Sequence, residues 1–263
     1  SVVGGFGIEA AAVAEIKIIS DMFGGLAVSA GLPMGCFAVS ILAATRLTGS
    51  IYPTSNFAGQ LGIANDYLVD FTRTMIDLGN STDIVANDAA STLAKFANIT
   101  NMDQSRFGNL GATLVDLGNN FATTESSIME MSLRLAAAGH QVGLSEAQIL
   151  GFAAALSSVG IEAEMGGSAF SKALVKMEVA AATGGEALED FARVSGLTAE
   201  GFKSLFENDP AAAFQAFIVG LAQMDEEGIS AIATLQEIGV AEIRLRDTLL
   251  RAVNANELFA EAQ

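Results

Sequence analysis

From residue 65 onward the apolar positions recur with the spacing of an α-helix. Leu68, Phe71, Met75 and Leu78 fall on one face, as do Leu110, Leu114 and Leu117, and then Ile128, Met131 and Leu135. The pattern continues at Ile149, Phe152, Leu156 and Val159, at Phe170, Leu174 and Met177, at Phe214, Ile218 and Leu221, and at Ile232, Leu235 and Ile238. Residues three, four and seven apart share a helix face, so each set predicts one apolar stripe that a neighbouring element must cover. Sustained period-2 alternation is absent, so no sheet is expected. The predicted fold class is all-α: consecutive short helices and helical hairpins packed as a bundle or a solenoid-like array.

The residues between the stripes agree. Ser145-Glu-Ala-Gln148 has the form of a capping box, with the hydroxyl on a free amide and the Gln reaching back. Asp209-Pro210 predicts an N-cap before a proline at the first helical position. Thr198-Ala-Glu and Asp103-Gln-Ser predict further N-caps. Gly79, Gly118, Gly160 and Gly239 each follow a stripe directly and are expected to stop a helix in the left-handed conformation. Met75-Ile-Asp-Leu-Gly-Asn80 returns as Leu114-Val-Asp-Leu-Gly-Asn119. Leu156-Ser-Ser-Val-Gly160 and Leu235-Gln-Glu-Ile-Gly239 share the same helix-ending form. A unit of about 40 residues holding two helices is the size of an α-solenoid repeat. A degenerate duplication and the independent recurrence of ordinary helix ends both account for this echo.

The segment 1–64 differs from the rest. Its only charges are Glu9, Glu15, Lys17, Asp21 and Arg46. The uncharged run Met22–Thr45 is long enough to cross a bilayer as a helix, which takes about 20 residues. Gly24, Gly25, Gly31, Pro33 and Gly35 interrupt it, and each weakens a helix in water. A buried helical pair broken at Gly31-Leu32-Pro33 is therefore set against a membrane span. The expected organisation is an apolar, Gly-rich segment over 1–54, a helical core over 55–255, and a helix end over 256–263 continuing into a longer chain. The start at Ser1 and the end inside a helical pattern point to a fragment or a processed product. No basic region precedes an apolar stretch, so no cleavable signal peptide is evident.

Composition narrows the function classes. Of 263 residues, 51% are hydrophobic and only 16% charged, which opposes disorder and supports a sizeable core. The 13 Lys+Arg stand against 30 Asp+Glu, and a net charge of -17 opposes sequence-independent binding to nucleic acid. A single cysteine, Cys36, excludes an internal disulfide framework. A single histidine, His140, excludes a metal site built on two histidines.

Candidate chemistry is sparse. Ala27-Val-Ser-Ala-Gly31 differs by one residue from a nucleophile elbow, but no strand precedes Ser29 and His140 is the only base available to it. Gly5-Phe-Gly7-Ile-Glu-Ala10 imitates a dinucleotide fingerprint without the strand that must precede it. His140 reads as a surface residue at a helix end. Glu162 and Glu164 flank Ala163 at a helix start, where carboxylates favour the macrodipole. Asn80-Ser-Thr82 and Asn98-Ile-Thr100 match a glycosylation acceptor, a pattern common by chance. Arg244, Arg246 and Arg251 form the only basic cluster, with Glu242 and Asp247 interleaved as ion-pair partners. No acid, base and metal group converge, so no catalytic, cofactor-binding or metal residue is assigned and no cofactor is expected.

The stretch Leu117-Gly-Asn-Asn-Phe-Ala-Thr-Thr-Glu-Ser-Ser127 then becomes informative. It runs on through Met131-Ser-Leu-Arg-Leu-Ala-Ala-Ala-Gly-His140, Leu144-Ser-Glu-Ala-Gln148, Ala153-Ala-Ala-Leu-Ser-Ser-Val-Gly-Ile161 and Gly166-Gly-Ser-Ala-Phe-Ser171. Together these segments resemble the core region of phage tail tape-measure proteins, of the type found in long-tailed phages of Gram-positive bacteria. The resemblance reaches back to Gln60-Leu-Gly-Ile63 and Phe96-Ala-Asn-Ile-Thr100 and forward to Ile238-Gly-Val-Ala-Glu-Ile-Arg244. It implies a structural, non-enzymatic protein of the virion that sets tail length during assembly and helps genome ejection. The implied partners are further copies of itself, tail-tube and tail-tip proteins and a tail-assembly chaperone, with DNA passing unbound. The implied locations are the tail lumen and, during assembly, the host cytoplasm. The alternative expectation is a channel component that inserts residues 22–45 into the host membrane. One unbroken helix of this length would span roughly 400 Å at 1.5 Å per residue. The glycine stops forbid that, so the segment is expected to fold and to attach to a longer ruler.

Overall fold

The computed structural model describes residues 61–226, 230–238, 240, 243–253 and 258–259. The expectations for residues 1–54, including the run 22–45, and for Gly239 lie outside the described residues, as does most of 256–263.

Among the described residues there are eleven α-helices and no strand, so the fold is all-α. In chain order they are α1 Leu68–Ser81, α2 Ala86–Thr100, α3 Phe107–Asn120, α4 Glu125–Gln141, α5 Glu146–Ser158 and α6 Ala163–Thr183. They continue with α7 Glu186–Val194, α8 Ala199–Asn208, α9 Pro210–Glu226, α10 Ala231–Glu237 and α11 Ile243–Val253. Short 3-10 turns at Asn65–Tyr67 and Gln104–Arg106 lead directly into α1 and α3. No described helix is long and apolar enough to cross a membrane.

The caps form as their chemistry predicts. The Ser145 hydroxyl accepts from the Gln148 amide while the Gln148 side chain accepts from the Ser145 amide, closing the box at the start of α5. Asp209 accepts from Ala212 N–H at 3.0 Å ahead of α9, and Thr198 accepts from Gly201 N–H at 3.1 Å ahead of α8. Asp103 caps the second 3-10 turn through Ser105 N–H. That backbone bond, then the Ser105 hydroxyl and Arg106, hold its carboxyl below the usual carboxylate range. Its stabilising effect is therefore present above the ordinary carboxylate pKa and is lost as pH falls through the lowered one.

The sequence echo is structural. The offset that carries Asp77 onto Asp116 also carries the first 3-10 turn onto the second, the start of α1 onto that of α3, and the start of α2 onto that of α4. The same step from the start of α3 reaches the start of α5. The helices α1 and α3 have 14 residues each. Buried positions coincide: Leu68 with Phe107, Phe71 with Leu110, Met75 with Leu114, Leu78 with Leu117, Phe96 with Leu135 and Ala97 with Ala136. The turns coincide too. Thr82 N–H donates to the Leu78 carbonyl and Phe121 N–H to the Leu117 carbonyl, at 2.9 and 3.0 Å. Gly62 and Asn101, equivalent positions at this offset, have φ of 84° and 52°. Asparagine is among the few side chains that tolerate this left-handed region.

This arrangement corrects two of the expected helix stops. Gly160 does terminate its segment with φ 73°. Gly79 and Gly118 do not; both lie inside helices, in the last turns of α1 and α3. Their role is close approach. A Cβ on Gly79 would sit 3.0 Å from the Ala86 amide nitrogen, and one on Gly118 would sit 2.5 Å from the Glu125 carboxyl carbon. In each repeat the next helix starts against the bare backbone of the one before.

Contacts divide the chain into two compact units. The first holds the described residues up to Asn98 together with Met102–Gly111; the second holds Ile99–Asn101 and the described residues from Ala112 onward. In the first, the rings of Phe71 and Phe107 meet edge to face at 4.7 Å, and Met75, Leu93 and Phe96 are buried. Gln104 ties the two 3-10 turns together: its side chain accepts from Ala64 N–H and donates to the Gly62 carbonyl. The Thr72 hydroxyl is buried in this unit without a hydrogen-bond partner.

In the second unit, α5 is the centre. Every residue from Ile149 to Leu156 is buried, so this helix is covered on all sides instead of presenting the single stripe its spacing predicts. Phe152 touches the rings of Phe170, Phe214 and Phe259 at 5.1, 5.8 and 5.3 Å. A second cluster joins Phe191, Phe202, Phe206 and Phe217 across α7, α8 and α9. Small residues bring α6 onto α4: a Cβ on Gly167 would fall on the Arg134 Cβ, and the Ser171 hydroxyl reaches the Arg134 carbonyl at 3.2 Å. Gly220 of α9 lies directly on the Val194 carbonyl at the end of α7. The Ile232 stripe is corrected. Ile232 is 52% exposed, because the short α10 turns Ala231, Thr234 and Leu235 inward.

Three substitutions test this packing by urea denaturation. Gly220→Ala should lower stability by about 3 kcal/mol, because the added methyl meets rigid backbone. Gly108→Ala, on an open part of α3 with nothing within 4 Å, should raise it by about 0.5–1 kcal/mol. Thr72→Val, which removes the unpaired hydroxyl, should raise it by about 1 kcal/mol.

Candidate functional site

Among the described residues, most of those singled out as chemically capable lie on separate helices. Ser29 and the Gly5-Phe-Gly7 segment lie outside the described residues. His140 is exposed in the last turn of α4. Asn80 and Asn98 are exposed on α1 and α2, and the Thr100 that completes the second glycosylation pattern is only 3% exposed. Arg251 is exposed on α11, while the side chains of Arg244 and Arg246 lie outside the described set.

A cleft of about 450 Å³ lies in the second unit, between α4 and the turn that joins α5 to α6. Ser127, Glu130 and Met131 of α4 form one wall. Ser157 of α5, Gly160 and Ile161 of the turn, and Glu162, Ala163 and Glu164 form the other. Gly160 creates the opening, since its left-handed φ turns the chain back sharply enough to set the start of α6 beside α4. Glu162 takes the N-cap position with no side-chain cap bond, and Glu164 lies in the first turn, where the helix dipole favours its charge. The structure thus brings the Glu162 and Glu164 pair to a cleft with Glu130, a member that sequence reasoning missed. Its position on α4 becomes relevant only once α6 has folded back.

The cleft's hydroxyls are committed elsewhere. Ser157 Oγ donates to the Ala153 carbonyl at 2.8 Å and accepts from Thr123 Oγ1 at 2.9 Å. Ser127 Oγ pairs with Thr124 Oγ1 at 3.1 Å in the cap of α4. A serine whose proton is held by a helix carbonyl is not poised as a nucleophile. The three carboxylates are exposed, and among the described residues no group of three or more His, Cys, Asp or Glu could hold a metal ion. What the cleft offers is a weakly acidic depression beside a helix start.

The described exposed surface is similarly plain. Its large apolar residues, Val85, Ile99, Val179, Leu197 and Ile232, are spread over different segments from the start of α2 to α10. Residues scattered in this way are ordinary on a folded surface. Hydrogen bonds between side chains and distant segments, such as Gln141 Nε2 to Glu178 Oε2 at 2.7 Å, hold helices together without framing a reactive site.

Comparison with known proteins agrees with this structural character. The chain is 29% identical over 134 residues to a probable tape measure protein of Halomonas phage phiHAP-1. That similarity covers 48% of this chain and 16% of the phage protein. No solved structure matches. Residues 48–237, most of the sequence and all of α1 to α10, match the family of phage-related minor tail proteins. The chain therefore belongs to the phage-related minor tail protein family.

Proposed function

We propose that this chain is a folded helical core of a tape-measure protein, a non-enzymatic tail component that sets tail length during assembly and helps genome ejection. The observation that carries this reading is the family match over 48–237, joined to the similarity to a probable tape measure protein about six times longer than the matched part. On this reading the ruler lies largely elsewhere in a longer protein, and the helical hairpins act as a packed segment of it. Its partners are further copies of itself, tail-tube and tail-tip proteins and a tail-assembly chaperone, in the tail lumen and, before that, in the host cytoplasm. The net charge of -17 suits a channel through which DNA must pass without adhering, since like charges repel along the whole path.

The test is made in the phage. Deleting residues 81–119 should yield tails that are absent or shortened, by about 60 Å where the segment lies as extended helix at 1.5 Å per residue. Electron microscopy of lysates reads this directly. Tails of normal number and length would overturn the proposal.

A further inference from the structure

We infer that the region from α1 to α5 is built of interchangeable two-helix repeats, so that it can lose or gain one whole repeat and still fold. The inference deepens the tape-measure reading and rests on it only for its biological use: a segment of a length-setting protein can change by whole hairpins.

Several independent observations coincide at the one offset that separates Asp77 from Asp116. The 3-10 turns, both helices of each repeat and the left-handed residue before the turn share one register. The buried positions fall in step although most of the residues differ, as in Phe71 with Leu110 and Phe96 with Leu135. The tetrapeptide Asp77-Leu-Gly-Asn80 stands unchanged as Asp116-Leu-Gly-Asn119. Within it, Gly79 and Gly118 each receive the start of the next helix, at Ala86 and Glu125, which stand at the same offset from each other. A set of ordinary helix ends would not keep the turn, the close approach and the core in one common register. In an array of repeats that keep their turns, close approaches and buried positions in one register, removal or insertion of a whole copy leaves the packing inside each remaining repeat unchanged.

The test uses the full chain with the seam placed inside the shared tetrapeptide. Deleting residues 80–118 joins Gly79 to Asn119, leaves the local sequence at the seam unchanged and keeps the Thr124 cap of α4. Its partner variant, deletion of 80–112, removes nearly as much chain out of register. The reciprocal variants insert a second copy of 80–118, or of 80–112, after Gly118. Circular dichroism and thermal melting of the purified proteins are the readouts. The in-register deletion should keep the parent's helical signal per residue and one cooperative transition. The in-register insertion should add helical signal in proportion to its length. Both out-of-register variants should lose the cooperative transition. Survival of either in-register variant alongside failure of its partner supports the inference. Equal behaviour of in-register and out-of-register variants in both pairs, whether all fold or none does, overturns it. The readout is folding and not tail formation, so normal tails in the phage experiment would remove the tape-measure reading and leave this one standing.

Discussion

The fold depends on helices approaching one another closely at positions that carry no side chain. Gly79 beneath Ala86, Gly118 beneath Glu125, Gly167 on Arg134 and Gly220 on the Val194 carbonyl are all such places. Glycine inside a helix costs about 0.5–1 kcal/mol relative to alanine, so a helical glycine needs a reason to be there. Here the reason is distance. Without a Cβ, the next helix starts close enough for the apolar stripes to interlock, and burial of Leu78 and Leu117 beside those glycines offsets the cost. A methyl group at Gly220 would separate α9 from α7 and open the Phe191–Phe217 contact at 5.4 Å.

This constraint also marks where the sequence is legible and where it is not. The stripes and caps can be read because helical spacing and N-cap chemistry are local. Every predicted cap at Asp103, Ser145, Thr198 and Asp209 forms its bond. Gly79 and Gly118 defeat a local reading because a glycine after an apolar run has two uses, a left-handed stop or a close approach. Only the neighbouring helix decides between them. Helix α5 defeats it for a related reason: Ala153, Ala154 and Ala155 look neutral in a stripe, yet their small size lets neighbours cover the helix on every side. Spacing alone assigns Ile232 to a buried face, but its helix of 7 residues is too short for spacing to choose a face. The acidic cleft is half legible. Glu162 and Glu164 are close in sequence, whereas Glu130 joins them through a fold-back.

The hydroxyls around that cleft illustrate how a structural protein can carry reactive residue types without a reactive arrangement. Ser127, Ser157 and Thr123 line or adjoin it, but they serve caps and helix carbonyls. In an amphipathic hairpin array the short polar residues collect at helix ends, where free amides and carbonyls need partners. The turns between hairpins therefore accumulate Ser, Thr, Asn and Asp for reasons of folding. Membership of the minor tail protein family accords with a surface organised in this way.

The third repeat shows what the pattern can lose. Helix α5 starts in register, and Ile149 and Leu156 stand where Phe71 and Leu78 stand in α1, all four buried. Yet Ala155-Leu-Ser-Ser158 replaces the Asp-Leu-Gly-Asn tetrapeptide, and the glycine moves to position 160. The consequence follows from geometry. With Ser157 in place of the helical glycine, the next helix cannot start against the backbone of the last turn. Gly160 instead turns the chain in the left-handed conformation, and α6 begins one position earlier than the register of α2 and α4 requires. The close approach is then taken over by Gly166 and Gly167 on α6 itself, against Ile161 and Arg134. The need for a position without a Cβ thus persists after the motif that supplied it has gone, moved from the end of one helix to the start of the next. That shift opens the cleft at the start of α6.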